Sequence, residues 1–339
     1  MLNKSVALVL SGIDMAGLVS RSIVAMTVRM PKWFVRIVSR RYVAGSTLEE
    51  AVAVMKKKAK EGACFTIDVL GEEISSMDEA NEFLEEYKRV IDAIKENSLD
   101  ANISIKPTAF GLLLDPVQGM KNIEELVRMA HDNNMFTRLD MEDFRVTDDT
   151  IQVVRDMHGK GLTNMGVVLQ GRLFRTLEDI KNLEAELGGL ADYRICKGIY
   201  LESEDIAHTD KKAITDATIE CMDAMLDAGA YVGIATHDIP IIEAAKASLK
   251  KRKMGPGIED PRPNAGTKRE GKGNGYEFQM LLGVRGNIRR KLAQEGHRTR
   301  IYIPYGEKWY EYSIRRLKEN PTVSIHIVKA FLMPWTNRA

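Results

Sequence analysis

The chain has 339 residues, 44% hydrophobic and 29% charged, enough for one large domain with a buried core or two smaller ones. A formal net charge of +1, with lysine and arginine spread along the chain, gives none of the basic footprint of a nucleic-acid binder. Only three cysteines occur, Cys64, Cys196 and Cys221, with no Cys-x-x-Cys spacing, which argues against a disulfide framework or a zinc site and suits a reducing compartment.

Near the start, the apolar runs 6–10 and 23–26 are interrupted by Lys4, Asp14, Arg21 and Arg29 before reaching the roughly 20 apolar residues of a membrane span. The expectation is an N-terminal helical segment over 1–45, with amphipathic helices packed on the domain and neither a transmembrane helix nor a signal peptide. From residue 64 onward, short β-rich runs recur, each followed by a charged segment with apolar positions at helical spacing. The predicted strands are 64–71, 103–110, 136–142, 164–170, 193–200, 230–238, 276–281 and 300–306. Helices are predicted between them, among them 76–97, opened by serine and acidic residues, and 122–134.

Eight strand–helix units fit an α/β fold of the (β/α)₈ TIM-barrel type over 46–330, and the lack of a GxGxxG after the first strand counts against a dinucleotide-binding sheet. One stretch breaks the rhythm. Residues 250–275 are rich in Gly, Pro and Lys without apolar period, and are expected to form a mobile, solvated surface insertion before the seventh strand.

Active sites of such barrels lie at the C-terminal ends of strands. Here those ends carry Lys106, Asp140, Glu142, Gln170, Arg194, Lys197, Thr236, His237 and Asp238. Several basic residues at one mouth suit an anion, either a cofactor phosphate or a substrate carboxylate. No metal is expected, because His237, Asp238 and Asp140 lack an i,i+4 histidine pair or a cysteine partner. In the final helix Tyr312, Arg315, Arg316 and Glu319 fall on one face before Asn320-Pro321 stops it. A tyrosine with two guanidinium forks matches a small carboxylate.

The segment RIYIPYGEKWYEYSIRRLKENP resembles the signature of proline dehydrogenases, including the corresponding domain of bifunctional proline-utilisation enzymes. RYVAGSTLEEA (41–51), FTIDVLGEE (65–73), YRICKGIY with ATHD, and YEFQMLLGVR (276–285) agree with it in order and spacing, so the likeness spans about residues 34 to 321. The resemblance implies that Arg315 and Arg316 hold the proline carboxylate, with Tyr312, Tyr302 and Leu281 shaping the pocket and Lys106 and Asp140 lining its polar side. It further implies that Glu72 pairs with one arginine as a gate. For FAD it places Arg194 near flavin N5, with Gln170, Lys197, Gly198, Thr236, His237 and Gln279 holding the ring and phosphates.

Departures from the family pattern are Ile199 where alanine is usual, the long basic insertion, and Gly286-Asn287 in place of a more polar run. The implied reaction is hydride transfer from proline C5 to flavin N5, giving Δ1-pyrroline-5-carboxylate, with a membrane quinone as acceptor. That acceptor implies a cytoplasmic protein in peripheral contact with the inner face of the membrane. Two other readings stand beside it. A barrel flavoenzyme for a related substrate such as hydroxyproline is opposed by the bulk of Tyr312. A catalytically silent carboxylate-binding barrel is opposed by the intact flavin set. No second catalytic domain is expected, so oxidation of the product to glutamate is assigned elsewhere; the sequence leaves oligomeric state open.

Overall fold

The computed structural model describes residues 32–72, 74–266 and 271–319, with the side chains of 33, 34, 37, 38 and 315–319 excepted. The apolar runs 6–10 and 23–26 and the Asn320-Pro321 stop therefore lie outside the described residues. Two compact units are formed, one of residues 44–306 and a flanking one whose described residues are 32–43 and 307–319. Helix α1 (Lys32–Ser39) belongs to the flanking unit.

Residues 44–306 form a closed barrel of eight parallel strands in chain order. It begins with α2 (Leu48–Ala59), followed by β1 (Cys64–Val69), α3 (Met77–Glu96), β2 (Ala101–Ile105), α4 (Pro116–Asp132), β3 (Thr137–Leu139) and α5 (Thr147–Gly159). The second half runs β4 (Met165–Gln170), α6 (Thr176–Leu187), β5 (Asp192–Cys196), α7 (Lys211–Asp227), β6 (Tyr231–Ala235), α8 (Ile239–Lys251), β7 (Tyr276–Leu281), α9 (Gly286–Gln294) and β8 (Thr299–Tyr305). All eight predicted strands are present. Helix α10 (Trp309–Glu319) lies in the flanking unit, where Lys32 and Arg36 of α1 sit over the rings of Tyr310 and Trp309.

Local chemistry sets the boundaries. The Ser76 hydroxyl caps α3 by accepting from the Glu79 N–H. Helix α4 opens six residues before its predicted start, because the Asp115 carboxylate accepts from the Gln118 N–H at 3.0 Å and Pro116 takes the first helical position, where its missing N–H costs nothing. Strand β2 ends at Ile105, since Pro107 opens a short 3₁₀ turn instead of extending the ladder.

Strand parity separates two environments. Ile67 pairs in register with Ile103 on one side and Ile303 on the other, and with Phe65, Leu139, Val167, Ile195, Ile234 and Phe278 these residues form the buried apolar layer. Alternate positions point into the lumen, which is polar: Asp68, Ser104, Arg138, Asp140, Asp192, Arg194, Glu277, Gln279, Arg300 and Tyr302 meet there, and Arg138 with Asp192, Arg194 with Asp140 and Gln279, and Tyr302 with Asp140 do so across strands that are not neighbours. Barrel lumens are usually filled by branched apolar residues, so this polarity is a functional signal.

The solvated reading of 250–275 fails at its end. Lys272 is only 5% exposed, with its ammonium 2.9 Å from Asp192 Oδ2 and 3.7 and 4.4 Å from the ring centres of Phe136 and Tyr231. Earlier in the segment Met254 is buried, and Arg262 is fastened to Asp260 and to the Leu226 carbonyl. The segment returns to the N-terminal end of the barrel and closes it with a cation between two aromatic rings.

Candidate active site

At the C-terminal end of the lumen the carboxylate of Asp140, just after β3, is the hub. Its Oδ1 accepts from Ser104 Oγ at 2.7 Å and Arg194 Nη1 at 2.6 Å, and its Oδ2 accepts from the Tyr302 hydroxyl at 2.7 Å. Arg194 also donates through Nε to Gln279 Oε1 at 2.6 Å, and its guanidinium lies 5.2 Å from the centre of the Tyr302 ring. Contacts on Nε and on Nη1, which also donates to Ser104 Oγ at 3.1 Å, fix the plane of that guanidinium. Its Nη2 is buried and has no hydrogen-bond partner among the described residues.

Lys106, at the end of β2, donates to Asp68 Oδ1 at 2.5 Å. Burial works against the ammonium, but Asp68 and Asp140 outweigh it and hold the Lys106 pKa above the ordinary lysine value. Burial pushes the Asp68 carboxyl up to about 6, with Lys106 pulling it back and Asp140 adding to the rise. At neutral pH and above the pair is ionised. Glu142, buried and accepting from the Thr108 N–H and hydroxyl, is pushed up to about 7 chiefly by desolvation. Half-buried Glu72 lies near enough to weigh electrostatically on both Lys106 and Glu142.

Around the same mouth, Gln170 donates through Nε2 to the Glu142 carbonyl at 2.8 Å, and its Oε1 has no partner among the described residues. Gly198, at φ +93°, lies against that amide, and a Cβ there would fall 2.5 Å from Gln170 Oε1 and 2.7 Å from Arg172 Cδ. His237 Nε2 accepts from the Leu281 N–H at 3.2 Å. Burial, reinforced by Arg285, pushes its pKa down to about 4, so the ring is neutral and Nδ1 carries the proton as a buried donor without a partner among the described residues. Thr236 accepts from the Asp238 N–H at 3.0 Å, and Lys197 pairs with Asp238.

Besides Arg172 Nε, the buried polar atoms near the strand ends left without a partner among the described residues include Gln170 Oε1, Arg194 Nη2 and His237 Nδ1, which belong to residues on or next to β4, β5 and β6. Such atoms cost about 1–3 kcal/mol each when nothing pairs them. One acceptor and two donors suit the edge of a heteroaromatic ring that carries both kinds of group.

A family model described as proline dehydrogenase matches residues 51–327. The chain belongs to the proline dehydrogenase family. Proline dehydrogenase 1 of Bacillus subtilis is 34% identical to it over 298 residues, covering 88% of this chain and 91% of that protein. The proline dehydrogenase of Deinococcus radiodurans is 31% identical over 298 residues, covering 87% and 90%. Among solved structures, proline utilization A (PutA) from Bdellovibrio bacteriovorus, inactivated by N-propargylglycine, superposes with a TM-score of 0.73 at 22% identity over 83% of this chain. The present chain spans about a third of that longer protein (32%), and the likeness bears on the fold.

Within this chain, Lys106, Asp140, Arg194, Gln279 and Tyr302 converge in the upper lumen, and Gln170, Lys197, Gly198, Thr236, His237 and Leu281 stand at the ends of β4 to β7. Tyr312 is half-buried in the flanking unit, and the side chains of Arg315 and Arg316 lie outside the described residues. Ile199 is 48% exposed on the loop after β5. Sequence reasoning did not single out Asp68, Ser104, Arg172 or Glu277 as site residues. Period two places Ser104 on the face of Lys106 and Glu277 on the face of Gln279, while Asp68 shares its face with Thr66, which carries no such signal.

Proposed function

We propose that this proline dehydrogenase oxidises L-proline to Δ1-pyrroline-5-carboxylate with FAD held at the C-terminal mouth of the barrel. The observation that carries the reading is the trio of unpartnered buried atoms on Gln170, Arg194 and His237. With Gln279, Thr236, Lys197 and Gly198 they would hold the cofactor: the amide, guanidinium and imidazole toward the ring, the Lys197 ammonium toward phosphate, and the bare backbone of Gly198 where a side chain leaves no room. When bound, FAD supplies the acceptor, at N5, for the hydride that leaves proline C5.

The chain's own part is electrostatic and positional. We assign the substrate carboxylate to Arg315 and Arg316 on the family signature, with Tyr302, Tyr312 and Leu281 as pocket walls and Glu72 as the carboxylate partner of one arginine. Proline reacts as the free amine. As the C5–H electron pair departs, the nitrogen lone pair closes the C=N bond, and loss of the N–H proton completes the pyrroline. Arg194 and Lys106 are cations on the side where negative charge arrives, and they need no reorganisation because Asp140 and Asp68 already hold them.

Activity is expected to rise with pH as the substrate amine loses its proton. Reoxidation is assigned to a membrane quinone, reached by peripheral contact on the cytoplasmic face; no helix among the described residues is long and apolar enough to cross a membrane. The test is anaerobic mixing of the flavin-loaded protein with L-proline while following visible flavin absorbance, alongside an Arg315→Ala/Arg316→Ala double variant. Bleaching in the parent and not in the variant supports reaction and clamp together. A yellow protein left unbleached by proline sinks the substrate assignment.

A further inference from the structure

Below Arg194 the lumen carries another carboxylate, Glu277, at the N-terminal end of β7 and fully buried. Both of its oxygens are occupied. Oε1 accepts from Arg300 Nε at 2.5 Å and from Gln279 Nε2 at 2.7 Å, and Oε2 accepts from the Tyr231 hydroxyl at 2.9 Å and Arg300 Nη2 at 3.0 Å. Arg298 Nε stands 3.4 Å from Oε2.

The contact with Gln279 has a directional consequence. A primary amide has a donor end and an acceptor end, and its neighbours decide which points where. Glu277 only accepts, so it takes the NH₂ end of Gln279, which turns Oε1 onto Arg194 Nε at 2.6 Å. The amide has little freedom to settle elsewhere, because it lies over Gly233, where a Cβ would come within 2.4 Å of Nε2. Glu277, Gln279, Arg194 and Asp140 are therefore one hydrogen-bonded line across the lumen.

We propose that Glu277 is a positioning residue for the hydride transfer: it fixes the orientation of the Gln279 amide and through it the plane of Arg194, including the direction of the unpartnered Nη2. This rests on the assignment of Arg194 to the flavin made above. A glutamine at 277 would have to offer its oxygen to Arg300 and would then present NH₂ to Gln279. The Gln279 oxygen would be drawn away from Arg194, and the guanidinium would lose its contact on Nε and keep only those of Nη1 with Asp140 and Ser104.

The experiment compares the parent with Glu277→Gln and Glu277→Asp in the full chain loaded with FAD. The aspartate variant keeps the charge beside Arg300 and shortens the reach to Gln279, so it carries the test if the glutamine variant does not fold. Two readouts are taken: the flavin midpoint potential by dithionite titration with an indicator dye, which needs no proline, and the limiting rate of flavin bleaching against proline concentration. The expected result is a more negative midpoint in both variants and a limiting rate about 10- to 100-fold lower, with half-saturating proline within about threefold of the parent. A Gln279→Leu change added to either variant should lower the rate little further, as one coupled unit requires.

An unchanged midpoint and rate in folded Glu277→Asp would overturn the proposal, as would losses that multiply on adding Gln279→Leu. A parent that fails to bleach with proline would sink the functional reading instead, while the midpoint comparison still decides the role of Glu277.

Discussion

The lumen of the barrel is charged at both ends, and the two ends use their charge differently. At the N-terminal end Arg138 donates to the carbonyls of Val167 and Asp192 and pairs with the Asp192 carboxylate, while Arg300 donates to Glu277 and to the carbonyls of Phe65 and Gly271. Lys272 closes that end between Phe136 and Tyr231. At the C-terminal end the same kinds of side chain leave Gln170 Oε1, Arg194 Nη2 and His237 Nδ1 without a partner among the described residues. The lower end also holds buried atoms without a hydrogen-bond partner among the described residues, Lys272 Nζ and Arg298 Nε among them, but these lie beside the carboxylates of Asp192 and Glu277, so the lower cluster reads as closure of the barrel and the upper one, at the strand ends, as a seat for a ligand. Glu277 belongs to the lower cluster by its ion pair and reaches the upper one through Gln279.

The comparison breaks most readily at Asp192. Both its charge partners, Arg138 and Lys272, are nearly inaccessible, with side chains 1% exposed. Asp192→Asn leaves Arg138, and below about pH 7 the Lys272 ammonium as well, short of a counter-charge and is expected to cost about 3–5 kcal/mol of stability. Denaturant unfolding should show the loss, while the rate of flavin bleaching per folded, flavin-loaded molecule stays within about threefold of the parent. A rate that collapses along with stability would mean that the two ends are not separable.

A pH scan sharpens the same contrast. Burial pushes the Lys272 ammonium down to about 7, with Asp192 and Glu277 opposing the shift and Arg138 and Arg300 reinforcing it. An unfolded lysine titrates near 10.4, so between about pH 7 and pH 10 the unfolded chain holds the extra proton and stability rises with pH. The gain from pH 7 to pH 9 should be about 2 kcal/mol, read as a rising denaturant midpoint, and Lys272→Met should flatten that rise. A parent and variant with parallel profiles would remove Lys272 from the account.

Much of this is legible in the sequence. Alternation of β-rich runs with amphipathic segments gives eight strands and a barrel, and polar residues at strand ends mark the mouth, because period and position are local properties of a sequence. Asp68, Ser104 and Glu277 were missed for a different reason: parity says that they share a face with Thr66, Lys106 and Gln279, but a strand alone does not say which face is the lumen. Lys272 was misread outright. In an aperiodic Gly- and Pro-rich stretch a lysine looks solvated, and the rings that enclose it come from Phe136 on the approach to β3 and Tyr231 on β6, far away in the chain. Arg172 lies after β4, where no period applies, and only its packing against the Gly198 backbone draws attention to it.

The smallest expected effect is the one that isolates the upper end most cleanly. Gly198 sits at φ +93°, a conformation that costs an L side chain about 1–2 kcal/mol, and it faces Gln170 and Arg172 rather than anything in the lower cluster. Gly198→Ala therefore adds strain and also drives a methyl toward Gln170 Oε1, one of the three atoms left for a ligand. If that oxygen serves the flavin, the cost falls on binding, and apoprotein titrated with FAD should show affinity about tenfold weaker by fluorescence quenching. The slope of stability between pH 7 and pH 9 should remain that of the parent, because Lys272 and its neighbours are untouched. Unchanged affinity with reduced stability would show that Gly198 answers only to the backbone turn, and Gln170 Oε1 would then need another partner.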